Sequence, residues 1–254
     1  MTASISAKEK SLGREGLAIA LVPMLTMTTF VAMVHGIAVN PFIPAISADL
    51  GTSVSLLGQV SAASMLLAGV LGVIAGPLID RVGHRRSLVA CLVVVAISAF
   101  GMSLAPSYLP LLLAALLGAA GRALAQPVAL VIVGDRFEGD AMRRAVSWVM
   151  AGVSIAAIIG IPALTTIASA FDWRVALATL GVATAVLAPL VHRAVGQEVV
   201  RTHDPMSVSA FLDAYRPLLR HRSTVGVYAS VLLGNTVAWS MGTYAPVFFA
   251  ERHD

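Results

Sequence analysis

Charge is what this chain has least of. Only 12% of its 254 residues are Asp, Glu, Lys or Arg, against 58% hydrophobic. So few charges cannot cover the surface of a water-soluble domain of this length. Lysine is confined to Lys8 and Lys10, which excludes a retinal protein, whose chromophore needs a lysine within its seventh span. The one cysteine, Cys91, excludes an intrachain disulfide and leaves the redox compartment unread. No Asp or Glu stands in the middle of an apolar run and no Gly-x-Ser-Gly occurs, so neither an aspartyl nor a serine intramembrane protease has its nucleophile. Enzymes are set aside. Composition alone leaves a seven-span receptor open.

What the chain does have is long uncharged runs, at 16–48, 50–79, 87–121, 123–134, 145–171, 175–191 and 223–250. Crossing a ~30 Å hydrocarbon slab at ~1.5 Å per residue takes roughly 20 residues. Residues 87–134 hold two spans, divided by Pro106-Ser107-Tyr108-Leu109-Pro110, which cannot continue one helix. Seven transmembrane helices are therefore predicted, at 17–44, 53–78, 87–105, 109–133, 145–169, 174–192 and 223–247. Lys8, Lys10 and Arg14 precede an apolar run far longer than the 7–15 residues of a signal core, so that run is a retained span.

Cations set the orientation. With the N-terminus inside, fourteen of the seventeen Lys and Arg fall on the cytoplasmic side, as short loops require. Their scatter over loops argues for a lipid bilayer as partner and against nucleic acid. The chain divides into a cytoplasmic tail (1–16), a six-helix bundle (17–192), a cytoplasmic linker (193–222) and a last segment (223–254) holding span seven.

The loop GPLIDRVGHRRSL, residues 76–88, concentrates charge between two apolar stretches. Its Arg residues suit any short cytoplasmic turn, but Asp80, Gly76 and Gly83 need another reason. The order Gly76, Leu78, Asp80, Arg81, Gly83, Arg85, Arg86 resembles the G-x-L-a-D-r-x-G-r-[RK] signature between helices two and three of the major facilitator superfamily. The motif supplies glycines for close contact and a tight turn, and a carboxylate among guanidinium groups as a breakable latch. His84 departs from the usual Arg. Asn40-Pro41-Phe42-Ile43-Pro44 with Asp49-Leu50-Gly51 is similar to the family's exit from helix one. Gly152, Gly160 and Pro162 are similar to the fifth helix of its efflux branches, and Phe171-Asp172-Trp173-Arg174 to the start of helix six.

The resemblance implies an all-α integral membrane bundle of inverted three-helix repeats, transporting a small molecule by alternating access, in the direction of efflux, in the inner (plasma) membrane. Of twelve family helices the sequence supplies seven. It therefore reads as an N-terminal fragment or natural truncation, inactive alone or acting as a regulatory subunit, whose partner is the missing C-terminal half or a second copy.

Arg122 is the one charge deep within a span, roughly 20 Å from Asp135 at ~1.5 Å per residue. Its place at mid-bilayer marks it as a functional candidate and favours an anionic substrate. His35 is eligible to carry a proton, while no carboxylate stands mid-span where proton-driven efflux relatives often carry one, so proton coupling stays open; no metal and no cofactor are expected. HGIAVNP at 35–41 echoes RALAQP at 122–127, so Asn40 and Gln126 join the predicted cavity, with helix unwinding expected at each amide-proline pair. Asn235 and Trp239, four apart in span seven, share a face and complete the set.

Overall fold

The computed structural model describes residues 2–73, 79, 82–196, 223–224, 226–227, 229–231 and 233–234, with side chains from residue 20 onward except that of Val73. The predicted site residues Gly76, Leu78, Asp80, Arg81, Asn235 and Trp239 lie outside the described residues, as does most of the 193–222 linker. The chain divides into two compact units, Met1–Thr202 and His203–Asp254. In the second, residues 223–234 are helical wherever described.

The first unit is all helix: α1 (Thr2–Ile37), α2 (Ile43–Leu50), α3 (Val54–Val73), α4 (His84–Ser103), α5 (Tyr108–Arg136), α6 (Gly139–Ile155), α7 (Ile161–Ala170) and α8 (Trp173–Val195). Six segments among the described residues are long and apolar enough to cross a bilayer, from Ala20–Leu50 to Trp173–Val195. They coincide with the first six predicted spans. The ends differ. Span one does not run unbroken to residue 44, because Asn40–Phe42 form a 3-10 turn before α2, carrying the span to Leu50. Upstream, α1 already begins at Thr2, so residues 2–16, read as a tail, are helical. The fourth span is longer than expected and passes through Pro127 without interruption. Unwinding therefore occurs at Asn40-Pro41 and not at Gln126-Pro127. Proline removes one ladder bond, and the rest of the 29-residue helix stays continuous, with Val128, Ala129, Ile132 and Val133 packed in the core beyond it.

Between α6 and α7 a π turn spans Ala156–Gly160. Eight residues separate Gly152 from Gly160, which at 3.6 per turn would put them about 80° apart. The extra residue of the π turn brings them onto one face, against α1. A Cβ on Gly152 would stand 2.6 Å from the Thr26 carbonyl oxygen, and one on Gly160 would meet Val34 and Phe30. Backbone thus approaches backbone along this seam.

Two apolar clusters fill the bundle. One gathers Leu21, Leu25, Leu92, Val128, Ile132 and Val191. The other gathers Val34, Ile46, Leu57, Met102, Leu111 and Leu177. The order of these residues along α1, α4 and α5 places His35, Ser98, Gly118 and Arg122 at the level where one cluster gives way to the next. Leu66 and Ile158, 71% and 72% exposed, point outward where lipid would lie.

Candidate functional site

The polar layer is built from three helices. His35 on α1 is buried, and its Nε2 lies 2.9 Å from Ser98 Oγ on α4. That hydroxyl donates to the Ala114 carbonyl of α5 at 2.6 Å. The ring fits because residue 118 has no side chain: a Cβ there would overlap both His35 and Ser98. One turn on, the Arg122 guanidinium lies against Gly36, with Nη1 3.3 Å from where a Cβ would stand. His35 and Arg122 line a common cleft of about 10 Å³ with Ser61, Ser64 and Met102, about the room one water molecule needs. At its edge Ser61 Oγ donates to exposed Asn40 Oδ1 at 2.7 Å. Three of the residues lining the cleft carry a buried polar atom with no hydrogen-bond partner: His35 Nδ1, Ser64 Oγ and Arg122 Nη2. Leaving such atoms bare costs about 1–3 kcal/mol each, a strain that a bound polar group would relieve.

The structure thus brings His35, Arg122 and, at the rim, Asn40 together. Gln126 goes elsewhere, its Nε2 3.5 Å from Met150 Sδ on α6. Ser61, Ser64, Ser98 and Gly118 carried no sequence signal, since serine and glycine are ordinary in apolar helices. No cluster of three His, Cys, Asp or Glu that would hold a metal occurs among the described residues.

The two ends of the bundle mirror each other. At one end Asp49, closing span one, accepts from Arg174 Nε and Nη2 at 3.1 and 2.8 Å. Arg174 begins span six, stacks on Trp173, and donates through Nη1 to the Ser103 and Ala105 carbonyls at the end of α4. At the other end Asp135, closing span four, lies 3.0 Å from His84 Nδ1, which begins span three. There Arg136 donates to the last α8 carbonyl, that of Val195, at 2.8 Å. Each end pairs the exit of one three-span group's first span with the start of the other group's third span. Each also places an arginine on the C-terminal carbonyls of a third span, where the helix dipole favours a cation. Such reciprocity is what two inverted copies of one three-helix unit produce. Gly83, just before His84, takes φ 88°, a region strained for any side chain.

Arg174→Ala should lower stability by about 1.5–3 kcal/mol, because its charged bonds to carbonyls are lost, and Arg174→Lys should recover little, lacking the fork. Asp49→Asn should cost under about 1 kcal/mol, since a part-exposed ion pair adds little. Thermal unfolding in detergent distinguishes them. Equal losses for both would move the weight from the carbonyls to the ion pair.

Comparison with known proteins agrees with this architecture. The chain is similar in fold to a mutant form of the peptide transporter POT in complex with sulfate, at 15% identity and TM-score 0.65, over 93% of this chain and 55% of that one. It is similar also to the proton:xylose symporter XylE bound to 6-bromo-6-deoxy-D-glucose, at 15% and 0.64, over 71% and 45%. Inward-open XylE from E. coli matches at 14% and 0.63, over 86% and 56%. The chain spans about half the length of these transporters. No curated protein matches by sequence. The family model of the Major Facilitator Superfamily covers residues 25–254, and the chain belongs to that superfamily.

Proposed function

We propose that the protein is a secondary transporter that carries a small anionic molecule through the inner membrane by alternating access, with its N-terminus in the cytoplasm and protons as the coupling ion. The observation that carries this reading is the polar layer itself. A cation and an imidazole stand mid-bundle beside a cleft, with buried hydrogen-bonding atoms left open. Charges at that depth are costly and are kept for function. His35, Asn40 and Arg122 form one wall of the path. Proton coupling draws support from XylE, described as a proton symporter. Outward transport rests on the resemblance of Gly152, Gly160 and Pro162 to the fifth helix of efflux branches, Gly152 and Gly160 packing closely on α1. The motif from Gly76 to Arg86 is the latch at the cytoplasmic end, with Gly83 making its turn. Because the chain is half the length of its structural neighbours, the opposite wall is assigned to a second six-helix unit, from further sequence or from another copy.

Orientation is tested with Arg86→Cys. Arg86 is exposed and native Cys91 buried, so an impermeant maleimide should label the variant only after cells are permeabilised. Labelling in intact cells would invert the topology and remove the latch from the cytoplasm.

A further inference from the structure

The open atoms of the cleft are chemically unequal, and the inequality names a ligand. Arg122 Nη2 can only donate. His35 has a settled tautomer, because the single Ser98 proton is committed to the Ala114 carbonyl at 2.6 Å. At 2.9 Å from His35 Nε2 the same hydroxyl must therefore accept, so Nε2 carries the hydrogen. Nδ1 is left as a bare lone pair, with the ring 5% exposed and no partner. Ser64 Oγ, 7% exposed as a residue and equally unpartnered, either donates or accepts.

A ligand must thus accept from Arg122 and donate to His35. A bare carboxylate does the first only, and its lone pairs would face that of Nδ1. A neutral hydroxyl does both but has no second oxygen on which negative charge can build against the cation. A carboxyl group with its proton does both, and the further the proton lies toward His35 Nδ1, the more carboxylate charge faces Arg122. The cleft has room for one oxygen, and its rim at the Asn40–Ser61 pair is where the rest of the molecule would emerge. We propose that the cleft takes a carboxylate together with one proton, the proton shared between a carboxyl oxygen and His35 Nδ1 while Arg122 Nη2 donates to the carboxyl group. The proton comes from water and no other leaves, so each carboxylate bound removes one proton from solution and the site keeps only the charge of Arg122.

The groups facing His35 are consistent with this balance. Arg122 comes from α5, Ser61 and Ser64 from α3, and Ser98 from α4. The Cys91 thiol is buried apart, among Ala32 and Ala125. No carboxylate lines the cleft among the described residues, so the proton has no nearer protein acceptor.

This inference rests on the cleft being the substrate site, and the experiment separates the two. The full chain in lipid nanodiscs is given acetate, lactate or benzoate singly in weak buffer. The expected result is about one proton taken up per carboxylate bound, with apparent affinity falling about tenfold for each unit of rising pH. In His35→Gln the side-chain amide donates directly to a bare carboxylate. The carboxylate binding that remains should show neither proton uptake nor pH slope, with thermal unfolding as the control for folding. Wild-type binding without proton uptake overturns the inference and leaves the transport site standing. So does binding of a neutral sugar with none of the carboxylates. Transport indifferent to Arg122 overturns the site and the inference together.

Discussion

Arg122→Leu is expected to abolish transport and to leave the bundle as stable as before, or more so. A guanidinium at mid-bilayer costs about 2.5–3.5 kcal/mol on insertion scales, and here one of its nitrogens is buried with nothing to bond. Leucine keeps an apolar stem against Gly36, where the Arg122 Cδ already lies 3.5 Å from a Cβ position. The substrate, however, loses a charged hydrogen bond of about 1.5–3 kcal/mol, which is roughly a 10- to 150-fold loss. Flux into proteoliposomes and thermal unfolding in detergent read the two effects separately. A variant that unfolds earlier and still transports would make Arg122 a structural residue. Stability and activity moving in opposite directions is the signature of a site that keeps an uncompensated charge for its ligand.

Gly118→Ala should have an effect as large by another route. The new methyl would occupy the space of the His35 ring and the Ser98 hydroxyl, both buried between α1, α4 and α5. Overpacking of this kind costs about 1–3 kcal/mol, and displacing the imidazole dismantles the donor and acceptor arrangement at the cleft. Transport should fall with stability. Adding His35→Ala removes the ring's share of the overlap and leaves the Ser98 hydroxyl free to turn away, so the double variant should recover part of the stability through a coupling of about 0.5–3 kcal/mol, while transport stays lost. Simple additivity of the two losses would show that the ring and residue 118 do not compete for space. The cycle thereby distinguishes a packing defect from the removal of a functional group.

Much of the fold was legible before any coordinates. The apolar runs predicted the first six spans because a bilayer sets a length that composition can satisfy only in blocks. Helix ends were less legible. The 3-10 turn at Asn40–Phe42 extended span one to Leu50, and Pro127 left α5 unbroken, although both prolines follow an amide. Local sequence states that a ladder bond is missing, and neighbouring helices decide whether the chain breaks there. Within the site, Arg122 and His35 stood out because charge and imidazole are rare in apolar runs. Ser98 and Gly118 did not, though the first sets the tautomer and the second makes the room. Asp49 and Arg174 stand in separate motifs, and neither motif encodes their pairing.

The amino-acid sequence by itself determined the class, the six spans and the depth of each polar residue, because hydropathy and the helical rise are properties of consecutive residues. The tertiary structure alone decided which polar residues meet. His35 finds Ser98 across 63 residues, and Asp49 finds Arg174 across 125. A helical period gives a side chain its height and face, but the neighbour on that face is chosen by how whole helices pack, and in this bundle that choice makes the cleft.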